Sequence, residues 1–259
     1  MTQTSTSGRV GLIGVGAIAS SMVTGLSGLD RPPTIQLSPR NADVAQKLAA
    51  RFANVEVSAS NEDVVRGSDL VIVAVRPVDW VPVVESLPWR ATQAAVSVLA
   101  GVSHAELAGA ISPVRSLSRA IPLPGVAERT GMTAVWSTDS DVRSLFELLG
   151  EVVQVETEDA LNALSAASGT MAATLHFTQT VAAWLQDRGM SQAAAERYVA
   201  AIQPDVSGVG LSATFDELID EFSTPGGLNE ELNRRMGEAG TWTDLRHGLD
   251  ALLDRVQPD

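Results

Sequence analysis

Short apolar runs alternate with helix-like segments through the first half of the chain. Val10–Ile13 is an apolar run closed by glycines, and Ala17–Leu29 follows with helical spacing. Thr34–Leu37 reads as a second strand after the turn at Arg31-Pro32-Pro33, Ala42–Phe52 as a helix and Val55–Val57 as a short strand. Asn61–Arg66 predicts a brief helix with Asn61 as its N-cap. Asp69–Val75 is continuously apolar after its first residue, as expected of a strand buried on both faces. Ala94–Ala100 and Gly131–Val135 predict further strands, and His104 opens a surface helix. Strands alternating with helices imply an α/β fold: a doubly wound parallel sheet, expected over residues 8–156. The Ser/Thr-rich residues 1–7 read as a disordered leader without the form of a signal peptide.

The pattern changes near residue 155, and residues 157–259 predict an all-helical domain. Its helices are expected at Ala160–Gly189, Ser191–Gln203, Ser212–Glu221, Leu228–Gly237 and Trp242–Val256. Ala160–Trp184 is rich in Ala, Leu, Thr and Ser and nearly uncharged, so it should be buried on every side. Packing against a second subunit is the favoured reading, which makes this a homodimerisation domain; a fully internal helix is the alternative.

The chemistry begins where the first strand meets the first helix. In Gly14-Val15-Gly16-Ala17-Ile18-Ala19, Gly14 allows a sharp turn, and Gly16 lets a pyrophosphate approach the backbone. Ala19 keeps helix and strand close, and the helix N-terminus faces the anion. These features predict a Rossmann dinucleotide site. The second strand ends Gln36-Leu37-Ser38-Pro39-Arg40-Asn41, with no carboxylate to receive a ribose 2′-hydroxyl. Ser38, Arg40 and Asn41 offer donors to a 2′-phosphate instead, so NADP(H) is favoured over NAD.

Composition narrows the partners. With 18 basic and 31 acidic residues the net charge is −13, which argues against nucleic acid and anionic membrane surfaces. No cysteine is present, so thiol catalysis and thiolate metal sites are excluded. His104, His176 and His247 are too scattered to form a metal-ligand pattern. No apolar run reaches the roughly 20 residues of a membrane span, and a cytoplasmic location is expected.

Several segments, taken in order, resemble the pyrroline-5-carboxylate reductase family. Ala74-Val75-Arg76-Pro77 resembles its Ala-Val-Lys-Pro at the cofactor, and Asn61 lies where the family has an asparagine near the adenine ribose. Ser97-Val98-Leu99-Ala100-Gly101-Val102 resembles its Ile-Ser-x-x-Ala-Gly-Val. Ala163-Leu164-Ser165-Ala166-Ala167-Ser168-Gly169 is similar to the opening of its dimerisation helix, and Thr224-Pro225-Gly226-Gly227 to its Ser-Pro-Gly-Gly turn. The chain departs from the family at Leu123-Pro124-Gly125, which replace Asn-Thr-Pro, at Ala166 to Met171, and at Leu228-Asn229 after the glycine pair.

The resemblance implies NADPH-dependent hydride transfer to the C=N carbon of a cyclic imine, either pyrroline-5-carboxylate or a related imine acid. Gly14, Gly16, Ala17, Ile18, Ser38, Arg40, Asn41, Asn61, Ala74–Pro77 and Ala100 would hold the cofactor. Ser165, Gly226, Gly227, Leu228 and Asn229 would hold the substrate, the glycine turn offering amides to a carboxylate unless it is a plain connection between helices. Asn229 could act as a donor or cap its helix. Thr170 could face the pocket or bond to the preceding turn. His176 is the one histidine considered as a proton donor, with a structural role as the alternative. Lys47 is the only lysine and stands on a helix away from the site, which counts against carbonyl reduction. A different class, a dinucleotide-binding regulator without turnover, fits the substituted site positions.

Overall fold

The computed structural model describes residues 8–207 and 213–257. The expected leader at residues 1–7 and the first residue of the helix expected at Ser212 lie outside them. The chain divides into two compact units: one reaches Ser165 and includes the residues from Leu253 onward, and the other is Ala166–Leu252.

The first unit begins β1 (Val10–Ile13), α1 (Ala17–Ser27), β2 (Ile35–Leu37), α2 (Ala42–Arg51), β3 (Val55–Val57), α3 (Asn61–Gly67) and β4 (Leu70–Val73). The short α4 (Trp80–Val84) precedes β5 (Ala94–Ser97) and α5 (His104–Ala110). Then come β6 (Ser116–Pro122), β7 (Gly131–Trp136), α6 (Ser140–Glu147) and β8 (Gly150–Gln154). They form one eight-stranded sheet ordered β3-β2-β1-β4-β5-β6-β7-β8. The strands from β3 to β6 are parallel, β7 runs antiparallel to β6, and β8 is parallel to β7.

Period-two alternation sends β1 side chains into two cores. Leu12 joins Ile35, Ile72 and Val96 beneath Met22 and Leu26 of α1 and Phe146 of α6. Ile13 joins Val71, Val73 and Ala95 beneath Val64 of α3 and Leu107 of α5. Helices on both faces explain why the central strands are apolar throughout.

Four sequence expectations change. The N-cap of α3 is Ser60, whose hydroxyl accepts from the Asp63 N–H at 3.1 Å; Asn61 is the first helical residue. The strands expected to reach Val75 and Ala100 stop at Val73 and Ser97, leaving the following residues in loops. β6 and β8 were not expected, and the β6–β7 pair breaks the all-parallel pattern. The helix expected at Ala160–Gly189 is two helices, α7 (Glu158–Ser168) and α8 (Thr170–Gln186). They break at Gly169, where a Cβ would come within 2.8 Å of Leu252 and 3.0 Å of the Ala166 carbonyl.

Residues after β8 form only helices among those described: α7, α8, α9 (Gln192–Ser207), α10 (Phe215–Phe222), α11 (Leu228–Glu238) and α12 (Thr241–Val256). In the second unit, α8 and α9 meet through Ala182, Ala195 and Val199. α8 is not buried on every side: Leu175 is 70% exposed and Trp184 52%, so a fully internal helix is excluded within this chain. No described helix is long and apolar enough to cross a membrane.

Candidate functional site

The strand order reverses at β1, which lies between β2 and β4, and this places three loops at the carboxyl ends of adjacent strands. Gly14 has φ +95°, and a Cβ there would stand 2.6 Å from the Ala74 carbonyl oxygen. Glycine is therefore required both by the left-handed backbone and by the closeness of the loop after β4. Gly16 is the N-cap of α1, and a Cβ built on it meets no atom within 4 Å. With Ala17 exposed beside it, the amides at the start of α1 stand open to a pyrophosphate-sized anion. This chain's turn fits a dinucleotide.

The residues after β2 divide into two kinds. Ser38 is fully buried, and its Oγ accepts from the Gly14 N–H at 2.9 Å. Asn41 adopts the left-handed conformation at φ 69°, and its Nδ2 donates to the Val15 carbonyl at 2.8 Å. Both side chains brace the glycine turn. Arg40 instead keeps a solvent-exposed head, with Nη2 3.6 Å from Asp79 Oδ2.

Around this edge stand the other expected cofactor positions. Ala74 and Val75 are partly buried after β4, and Arg76 and Pro77 are exposed. Ile18 packs partly against the core. The Asn61 Oδ1 is buried without a hydrogen-bond partner, so an acceptor waits at the place the resemblance assigns to the ribose. Ala100 is exposed in the turn after β5, next to Gly101 at φ +69°.

Sequence reasoning missed a buried ionic cluster behind that turn. Arg119 on β6 is 1% exposed; its Nη1 donates to Glu158 Oε1 at 2.5 Å and to Asn162 Oδ1 at 3.0 Å. Its Nη2 reaches the Leu99 carbonyl at 3.5 Å. The same Glu158 oxygen accepts from the His104 N–H at 2.7 Å, so one carboxylate ties β6 to α5 and α7. The segment from Ser116 to Pro122 carries no clean apolar alternation to mark Arg119 as buried; only the strand's place in the sheet shows that this charge requires a partner.

The expected substrate residues do not form a single hydrogen-bonded group. Ser165, on α7, is partly buried and has a partner of its own. Thr170 Oγ1 donates to the Ala167 carbonyl at 2.8 Å, the local bond expected of a small hydroxyl on a helix. His176 is exposed on α8. Gly226 has φ +74°, and its N–H donates to Glu230 Oε2 at 2.6 Å. The N-cap of α11 is Gly227 rather than Asn229; Leu228 is 88% exposed. Asn229 Nδ2 reaches back to the Phe222 carbonyl at 3.1 Å. No hydrogen bond joins Thr170, His176 and Asn229 among the described residues. Nor do any three His, Asp or Glu side chains among them form a group that could hold a metal.

A sequence model of the NADP oxidoreductase, coenzyme F420-dependent family matches residues 9–101, the part that carries the glycine turn. The pyrroline-5-carboxylate reductase of Pseudomonas aeruginosa is 25% identical over 260 aligned positions, spanning 95% of each chain. The Streptococcus pyogenes 1-pyrroline-5-carboxylate reductase superposes with TM-score 0.82 at 22% identity, over 96% of this chain and 98% of that one. The Plasmodium falciparum pyrroline carboxylate reductase, solved with NADP bound, gives 0.82 at 16% identity over 96% of each. Over nearly its whole length, the chain is similar in sequence to pyrroline-5-carboxylate reductases.

Proposed function

We propose that this chain is an NADPH-dependent imine reductase acting on a small cyclic imine, pyrroline-5-carboxylate or a related imine acid. The observation that carries the reading is the open glycine turn at the β1 switch point, in a chain similar end to end to pyrroline-5-carboxylate reductases. Gly14, Gly16 and Ala17 would take the pyrophosphate, Asn61 the adenine ribose, and Arg40 the 2′-phosphate. Ala74–Pro77 and Ala100 would line the cofactor's path.

Reduced nicotinamide supplies the hydride. A cyclic iminium needs little more than orientation and exclusion of water, because its nitrogen is already protonated. An alkoxide would need a proton donor, and Lys47 stands exposed on α2. This favours C=N over C=O reduction. For the substrate carboxylate we assign the turn at Gly226 and Gly227, supported by its existing use: Gly226 already holds the Glu230 carboxylate, which a substrate would replace. Ser165, Thr170, His176, Leu228 and Asn229 complete the proposed substrate side, with Asn229 in place of a hydroxyl donor.

The reading includes a cytoplasmic homodimer formed through the C-terminal helices. Its support is the apolar surface the second unit leaves uncovered, including Leu175, Phe177, Trp184, Phe215 and Leu228.

The test follows NADPH oxidation by absorbance, with pyrroline-5-carboxylate and a panel of other cyclic imines and with NADH in parallel. Turnover of at least one imine, faster with NADPH, is expected. Firm NADPH binding with no oxidation by any imine would overturn the enzyme reading in favour of a non-catalytic nucleotide binder.

A further inference from the structure

Of the three residues the sequence offers a 2′-phosphate after β2, Ser38 is fully buried, with its Oγ accepting from the Gly14 N–H, and the Asn41 amide donates to the Val15 carbonyl. One exposed guanidinium, Arg40, remains. Alone and in water it would hold a phosphate dianion weakly.

The fold brings a second guanidinium to the same place. Arg76 follows β4, the neighbour of β1 on the side opposite β2. Its Nε and Nη2 donate to Asp79 Oδ2 at 2.8 and 2.7 Å, and Arg40 Nη2 lies 3.6 Å from that same oxygen. Two arginines from loops on either side of the glycine turn thus converge on one carboxylate oxygen. Both heads face solvent, at 61% and 75% exposure, whereas the Asp79 side chain is 24% exposed. Two positive charges against one negative leave a surplus beside the nucleotide turn. A phosphate monoester carries close to two negative charges near neutral pH and accepts the same charge-assisted bonds as the carboxylate.

We propose that Arg40 and Arg76 together grip the 2′-phosphate of NADPH, with Asp79 holding the Arg76 fork in position. The inference rests on the reading of the chain as an NADPH-binding reductase, and it makes Arg76 a specificity-determining residue for that cofactor. Arginine in place of lysine in the Ala-Val-Arg-Pro segment gains a purpose here. A planar fork can bind Asp79 along one edge and present another to phosphate, which a single ammonium does less well.

The test is the dissociation constant of the full chain for NADPH and for NADH, by titration calorimetry. Arg40→Ala and Arg76→Ala should each weaken NADPH binding by about tenfold, the loss of one charge-assisted contact, while NADH changes less than about twofold. Arg76→Lys should fall between wild type and Arg76→Ala, and the double alanine variant should bind both cofactors alike. Unchanged NADPH binding by Arg76→Ala, or equal losses for both cofactors, would overturn the paired grip. If Arg40→Ala alone erases the preference, the NADPH reading stands and the role of Arg76 falls. Equal binding of both cofactors by the wild-type chain would remove the NADPH reading and this inference with it.

Discussion

At the scale of single residues, the most informative group is a charge where none should be cheap to keep. Among the described residues Arg119 is the largest fully buried side chain, and its Nε has no hydrogen-bond partner. Glu158 and Asn162 make its burial tolerable. Breaking such a pair from one side leaves an uncompensated buried charge, whereas replacing both partners by groups of similar shape is far milder. Glu158→Ala should therefore lower unfolding free energy by about 3 kcal/mol, and Arg119→Met in that background should restore much of it. Urea denaturation of the four proteins of this cycle measures the coupling. Additive losses would show that the pair is not a unit. The segment around Arg119 shows why this was not legible: an arginine can be read from sequence, but its partner lies 39 positions away.

At the scale of elements, the difference between expectation and structure is clearest in α8. Its sequence carries Ala, Leu and Thr around most of its circumference, the pattern of a helix enclosed on all sides. Within one chain only Ala182 is buried. Apolar periodicity reports that a face will be covered without saying by which chain. On the homodimer reading, Leu175→Glu and Trp184→Glu together should shift the protein from dimer to monomer in light scattering, with little change in NADPH binding. A wild-type chain that is monomeric at micromolar concentration would end that reading. The break at Gly169 was equally hidden: glycine in an otherwise helical run is tolerable locally, and the close approach of the Leu252 side chain and the Ala166 carbonyl to the place of a Cβ is seen only in the fold.

At the scale of the whole molecule, a chain with net charge −13 depends on how its carboxylates are held. Asp139 joins β6 to α6: it accepts from Arg115 at 2.7 Å, from the Ser116 hydroxyl and from the Asp141 N–H. Burial pushes its carboxyl up, but the bonds from Ser116, Arg115 and the Asp141 amide outweigh this and hold it below its ordinary value of 3.8. A lowered folded-state value contributes stability above the unfolded value, lost as pH falls through the folded one. Asp139→Asn should thus be less stable than wild type at pH 7, with the two converging in strong acid. Parallel melting curves across the acid range would refute the linkage. The sequence by itself determined the strand–turn–helix that opens at residue 10, the parallel sheet through β5 and the helical second half, because each is written in local periodicity and turn chemistry. Only the tertiary structure decided the rest. β6 places Ser118 and Arg119 in the core, and β8 is a half-exposed edge strand, so neither carries a clean apolar alternation. The Arg119–Glu158 bridge and the meeting of Arg40 with Arg76 over Asp79 join distant positions, and the antiparallel return of β7 onto β6 is decided by the packing of the sheet. Local preference acts over a few residues, whereas these partners are set by the order in which strands pack.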